Sequence, residues 1–398
     1  MLKLKKDDVP NHELSMATLN NSMRKGIRIT DNINELQKEY NEKLRARTIY
    51  IEHRTNISKL LSVEQLKTYF LPYLTPTQIE KCKVNGKFTF GKTVLNYLVE
   101  QEIPMAKEIL EARTIKNKAD VLNSLKEYMD SKGLVYPEVS RGKTFRYSYA
   151  KPAIMSIPKD LLWQVIKPRN PNNVLYAVDI HQQEPYILVH YLKIDALIQL
   201  LKDEPDFYKA IYKQAFKEDC PSKEHRKEVK KVWNALSYGG TKNIKNLCTL
   251  INPQPIVDFF KGIKEYRNYT SKSFYYAHKN ATYRKTYFNT KVYTTGNEVY
   301  KLARSNMDIP IQGTGSDILS FLIEHLLEVT KEKQLQDKLE FYFSRHDELI
   351  LEVSPELENV EELLTDIFTH QVDDWIPFSV KVTKITDNNL SELAEDDE

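Results

Sequence analysis

Glycine is scarce in this 398-residue chain: 11 are present, which leaves few freely flexing joints and excludes a string of domains on glycine-rich linkers. Cysteine is scarcer. Cys82, Cys220 and Cys248 lie far apart, without the short paired spacings of a zinc site or a disulfide framework, and read as ordinary thiols. No run approaches the roughly 18 apolar residues that a membrane span needs. The opening MLKLKKDDVP lacks the apolar stretch of a secretion signal, so the expected location is cytoplasmic, with no membrane partner. Net charge is also small. Fifty-eight Lys and Arg against 55 Asp and Glu leave +3, and bulk charge does not announce a nucleic-acid partner.

What is present describes a folded protein. With 41% hydrophobic and 28% charged residues, the composition suits a sizeable core shared by two or three subdomains. Positive charge is local: Lys223, Arg226, Lys227, Lys230, Lys231, Lys242 and Lys245 crowd one region, and Arg141, Lys143, Arg146 and Lys151 another. Acids collect in the tail 391–398. A charge run is usually a solvated face, so each cluster alone favours phosphate contact only weakly.

Residues 11–132 carry a mostly helical pattern, with apolar residues three and four apart, as in Ile33, Leu36, Tyr40 and Leu44. The run 174–180 is short and apolar and reads as a buried strand with Asp179 near its end. Helices dominate 184–267. Alternating aromatic and polar residues in 282–300, with a Thr-Thr-Gly-Asn turn, predict a small hairpin, and 317–333 predicts a helix. Two strand patterns follow, 339–344 and 348–353, joined by Arg345, His346 and Asp347.

Three constellations carry chemistry. Asp347 and Glu348 sit at a turn between apolar strands, where a carboxylate can project from a rigid sheet; taken alone, the segment reads first as ordinary turn chemistry. Asp179, at the end of another strand, adds a second carboxylate. Two such groups on neighbouring strands hold two magnesium ions roughly 3.5–4 Å apart in enzymes that displace pyrophosphate. The third constellation is Arg226, Lys230, Asn234 and Tyr238, spaced four apart and followed by Gly239 and Gly240. That spacing keeps them near one helical face, where two cations grip a triphosphate and a tyrosine sits beneath a base. A basic amphipathic helix is the plain alternative.

In register, these segments resemble the polymerase module of the bacterial DNA polymerase I family, family A. Asp179-Ile180-His181-Gln182-Gln183-Glu184 is similar to its Asp-x-x-Gln-x-Glu motif, Arg226-x-x-x-Lys230 with Tyr238-Gly239 to its fingers-helix motif, and His346-Asp347-Glu348 to its third motif. Thr144-x-Arg146 ahead of Ile157-Pro158 resembles the Thr-Gly-Arg segment before Asn-Ile-Pro. Pro310-Ile311-Gln312-Gly313-Thr314 resembles a Pro-Met-Gln-Gly-Thr helix start. The similarity covers residues 20–388.

The resemblance implies an α+β right-hand polymerase fold, an antiparallel palm sheet with helical fingers and thumb. The expected divisions are a thumb-like region at 1–140, first palm part at 141–200, fingers at 201–300 and second palm part at 301–398. It implies a DNA polymerase that extends a primer with deoxynucleotides, using two magnesium ions, with manganese as an alternative. Asp179 and Asp347 would be the metal ligands, with Glu348 close by. Arg226 and Lys230 would hold the triphosphate, Asn234 and Tyr238 would face the nucleotide and template, and Glu184 would be the steric gate against a ribose. Gln182 would support the site, and Thr144, Arg146, Arg304, Gln312 and His346 would contact primer and template. Partners would be primer–template DNA, deoxynucleoside triphosphates and replication accessory proteins, for a monomer.

Only 178 residues precede Asp179, so neither a proofreading exonuclease nor a 5′ nuclease is expected, and a phage, plasmid, mobile-element or repair setting fits. Several positions depart from the family. Asn234 replaces an aromatic, and Trp233 points about 100° away round the helix. Pro185-Tyr186 replaces Leu-Arg, Met155 a glutamine and Asp308 an asparagine. The rivals are a single-subunit RNA polymerase, against which Glu184 and Glu348 speak, and a lapsed polymerase that only binds primer–template.

Overall fold

The computed structural model describes residues 1–84, 86–237, 239, 244, 247–279, 282–294 and 298–386. Lys242, Lys245, Tyr238 and the acidic tail therefore lie outside the described residues. The chain divides into two compact units. One comprises 1–26, 138–150 and 168–398, the other 27–137 and 151–167. The 1–140 span of the sequence reading is thus shared between both. Among the described residues no helix is long and apolar enough to cross a membrane.

The second unit is mainly helical. Its long helices Ile33–Thr55 and Ala106–Tyr128 pack together, and Ile33, Leu36, Tyr40 and Leu44 are among the less exposed positions of the first, as their spacing predicts. Short helices between them, Val63–Phe70, Pro76–Lys81 and Lys92–Glu100, close a core around Leu66, Phe70, Leu95, Leu98 and Ile109. Each such buried side chain contributes about 1.5–3 kcal/mol. Ile27–Ile29 runs between Leu134–Val135 and Ile166–Lys167, which ties 151–167 to this unit.

The first unit is built on a four-stranded antiparallel sheet in the order Leu339–Arg345, Glu348–Val353, Val174–Ile180, Val380–Lys384. Val174–Ile180 has the bounds its apolar run predicts, because an inner strand is covered on both faces. Residues 1–26 belong here through contacts along their length, two of which pair or touch strands. Leu2–Leu4 pairs with His370–Val372, and Ser22 on helix His12–Lys25 donates to the carbonyls of Phe341 and Tyr342.

One expectation is corrected. The helix placed at 317–333, with 310–314 as its start, runs unbroken over Val299–Glu332 with Pro310 inside it. Proline removes one backbone donor and normally kinks or ends a helix. The neighbouring helix Lys264–His278 packs on this turn without replacing the lost bond: the Tyr269 hydroxyl donates to the Met307 carbonyl, and the Asn306 amide donates to Ser273 O at 3.2 Å. Most residues of the long helix are buried, so tertiary packing overrides the local signal.

The small hairpin is Tyr283–Lys285 with Lys291–Tyr293, turning at 286–290. The Thr-Thr-Gly-Asn run follows the second strand, and residues 295–297 lie outside the described residues. The hairpin docks on the long helix at Gly313, where a Cβ would come within 2.7 Å of Thr286 Cγ2.

Candidate active site

The sheet aligns the carboxylates. Strand pairing sets Glu348 directly opposite Asp179 and Lys381 opposite it on the other side, so the three share one row across the sheet. Within its strand, Asp179 is the one exposed residue after four buried ones. Arg345 pairs with Glu348, so only His346 and Asp347 link the strands. His346 has φ +57°, and a positive φ at the first linking residue alone is the pattern of a II′-type connection. The tight link holds Asp347 next to Glu348, one residue out of register from Asp179.

Charges converge around this row. Burial raises the Asp347 carboxyl above the ordinary range, opposed by Arg146 and reinforced by Glu184. Glu184, in the first turn of helix Gln183–Tyr191, forms an ion pair with Arg146. Arg304, Asp308 and Gln312 stand one turn apart on the long helix, and Thr144 Oγ1 donates to Gln312 Oε1 at 3.4 Å. Arg304 and His346 are exposed. The geometry therefore brings together Asp179, Asp347, Glu348, Glu184 and Arg146, with Thr144 and Gln312 as a second pair.

Gln182 takes a different position. In a left-handed conformation just before its helix, it accepts from the Phe207 N–H at 2.7 Å, and its Nε2 lies 2.8 Å from His181 Nε2. It thereby braces the start of helix Phe207–Phe216.

The fingers motif lies on helix Lys223–Ser237. Its inner face buries Glu228, Val229, Val232, Trp233 and Leu236, leaving Lys230 half-buried and Asn234 exposed. Trp233 does face away, packing on Phe207 and Phe260 at centroid distances of 4.6 and 5.2 Å. Tyr238, expected to close the row, lies outside the described residues. Gly239 has φ +70°, and a Cβ there would sit 3.1 Å from Met307 Sδ, so only glycine fits without displacement.

Three residues missed by motif reading complete the neighbourhood. Asp206 accepts from Arg226 Nε at 2.6 Å while also capping helix Phe207–Phe216 through the N–H groups of Tyr208 and Lys209. Tyr208 lies under the Arg226 guanidinium, 4.9 Å from ring centre, and burial raises its hydroxyl pKa. Glu228, behind the helix, accepts from Thr249 N, Leu250 N, Ile251 N and Thr249 Oγ1 at 2.7–3.0 Å. Asp206 carried a helix-cap signal ahead of Phe207. Tyr208 and Glu228 carried none, since their partners are distant in sequence.

Two carboxylates with a third beside them fit magnesium, which prefers oxygen and commonly takes one or two protein carboxylates plus substrate phosphates and water. Among the described residues no three His, Cys, Asp or Glu side chains form a ready-made metal cage. Asp179 and Asp347 are the groups that would hold the ion.

Asp308 gives a pH test. Burial pushes its carboxyl up to about 7, aided by Glu184 and opposed by Arg146 and Arg304. A carboxyl with a raised folded pKa costs stability as pH climbs from about 4 to 7, since the folded state holds the proton more tightly. Asp308→Asn should therefore be more stable than wild type at pH 8 by about 1–2 kcal/mol, after discounting for partial exposure, and the gain should vanish near pH 4. Thermal melts of both proteins at the two pH values check this; a pH-independent difference rejects it.

A family model described as DNA polymerase family A matches residues 30–388. DNA polymerase I of Aquifex aeolicus (strain VF5) is 26% identical over 356 residues, covering 84% of this chain and 58% of that protein. DNA polymerase theta of Drosophila melanogaster is 24% identical over 333 residues, covering 75% of this chain and 16% of that protein. The chain thus spans little more than half of the Aquifex relative, and 29% of DNA polymerase I of Bacillus subtilis (strain 168). Among solved structures, the POL domain of Pol1 from M. smegmatis, in complex with DNA primer-template and dNTP, superposes with a TM-score of 0.80 at 21% identity. That match covers 94% of this chain and 69% of that one, and shows a shared fold.

Proposed function

The chain belongs to DNA polymerase family A, and from that premise we propose that it extends a primer 3′ end with deoxynucleoside triphosphates under template direction. The observation that carries the reading is the pairing of Glu348 with Asp179, with Asp347 in the adjoining link. With Asp347 one residue from the partner of Asp179, and the Arg146–Glu184 ion pair in the same unit, this register supports reading the two aspartates as a pair.

Asp179 and Asp347 would hold two magnesium ions, and when bound these supply charge neutralisation for the triphosphate and activation of the primer hydroxyl. The chain's own residues do the rest by positioning and fixed charge. Arg226, aimed by Asp206, and Lys230 bind the triphosphate. Glu184, held by Arg146, occupies the space a ribose 2′-hydroxyl would need. Thr144, Arg146, Arg304, Gln312 and His346 orient primer and template, with Gln182 bracing the helix beside them. Asn234, exposed one turn beyond Lys230, faces the nucleotide and offers little surface for stacking.

Primer extension by the purified chain tests this reading. Deoxynucleotides with magnesium should be incorporated opposite the template, ribonucleotides poorly, and omission of metal should stop the reaction. A mismatched primer end should not be excised. Equal use of both sugars would point to an RNA polymerase, and duplex binding without extension to an accessory role.

A further inference from the structure

We propose that Phe145, stacked on His12, is a positioning residue that holds the 142–146 turn, and with it Thr144 and Arg146, in the conformation that meets the primer–template. The proposal rests on the reading of Thr144 and Arg146 as DNA contacts.

Strands Glu138–Arg141 and Tyr147–Ala150 pair Arg141 with Tyr147, leaving residues 142–146 as the link. Gly142 N donates to Arg146 O at 2.7 Å, and Phe145 N donates to Gly142 O at 3.1 Å. Phe145 has φ +61°. Hairpin links that end on a left-handed residue favour glycine there, because a Cβ crowds the adjacent carbonyl. A phenylalanine in that conformation persists only if its side chain makes a compensating contact.

Two groups meet the ring, and both are themselves held in place. The Phe145 ring stacks on the His12 imidazole, with centroids 4.9 Å apart and planes 13° from parallel. The Arg141 guanidinium lies 5.5 Å from the Phe145 ring centre and is itself fixed, its Nη2 donating to His12 O, Ser15 Oγ and Tyr147 Oη at 2.9–3.1 Å. His12 is fixed at both ring nitrogens: Nδ1 lies 2.9 Å from Ser320 Oγ, and Nε2 lies 2.9 Å from Asp317 Oδ1.

Ser320 and Asp317 are fully buried on the long helix, and among the described residues the Asp317 carboxyl has no hydrogen bond beyond this close approach of His12 Nε2. A buried carboxylate in that state is costly without a basic neighbour, which gives His12 a reason to stay in place. The turn therefore meets the long helix directly through Thr144 on Gln312, and indirectly through Phe145 on His12, which in turn contacts Ser320 and Asp317. Arg146 follows Phe145 directly, so a change of φ at 145 would swing Arg146 away from Glu184.

The test uses the full chain and a fluorescently labelled primer–template at fixed ionic strength. Phe145→Ala keeps the strained backbone and loses the stack; it should weaken duplex binding about tenfold while kcat at saturating duplex stays within about twofold. Phe145→Gly should recover most of that affinity, because glycine adopts the conformation without help. His12→Ala should behave like Phe145→Ala, and adding Phe145→Gly to it should rescue binding, an effect that general destabilisation would not produce. If His12→Ala does not fold, the Phe145 pair still decides, since it leaves His12 and Asp317 untouched. Wild-type affinity in Phe145→Ala beside weak binding in Arg146→Ala overturns the positioning role. Equal weakness of Phe145→Gly and Phe145→Ala overturns it too, by making the ring a direct DNA contact. Unchanged affinity in Arg146→Ala overturns the reading of the turn on which the proposal stands.

Discussion

Substituting Asp179 or Asp347 by alanine should lower primer extension by about a thousandfold or more, because each removes a carboxylate expected to hold a metal ion worth several kcal/mol to the transition state. Folding should survive. Asp179 is exposed at the end of its strand, and burial already makes the charge on Asp347 a cost to the folded state. Asp347→Asn should therefore keep the wild-type Tm, bind primer–template as well as wild type, and still fail to extend it. Rapid-quench extension assays beside thermal melts and duplex binding make the separation. Activity within about tenfold of wild type in either alanine variant would remove the two-carboxylate assignment.

The second large effect is on sugar selection. Glu184→Ala should raise ribonucleotide incorporation relative to deoxynucleotide by on the order of a hundredfold, the scale of discrimination that turns on accommodating one hydroxyl. Bulk and charge are separable here because Glu184 also pairs with Arg146. Glu184→Gln breaks the ion pair and keeps the volume, so it should retain most discrimination while weakening the grip on the duplex through a freed Arg146. Single-turnover kinetics with matched ribo- and deoxynucleotides decide between them. If the glutamine variant loses discrimination as fully as the alanine variant, the gate works through charge or through Arg146 and not through volume.

Much of this site was legible before any coordinates, and the reason is locality. Val174–Ile180 is recognisable because an inner strand needs an unbroken apolar run, and Asp179 is conspicuous as the polar residue within it. The link at His346 and Asp347 is recognisable because two apolar runs flank it at hairpin spacing. The row of Arg226, Lys230 and Asn234 follows from helical periodicity, and so does the turning away of Trp233. These properties depend on residues a few positions apart, which a sequence records directly.

What tertiary structure alone decided is which distant groups meet. The register of Glu348 against Asp179 joins residues 169 positions apart by arithmetic on their numbers, and no local pattern sets it. Arg226 finds Asp206, Glu184 finds Arg146, and His12 finds Asp317, each across a separation along which the chain keeps no directional memory. Pro310 shows the same limit from the other side. Its local signal says that a helix ends, yet burial and packing against a neighbouring helix outweigh it. The sequence by itself determined which residue types stand on which faces of which elements, since side-chain periodicity is a property of the backbone. Only the packed structure decided which faces touch, because that depends on burial and pairing summed over the whole unit.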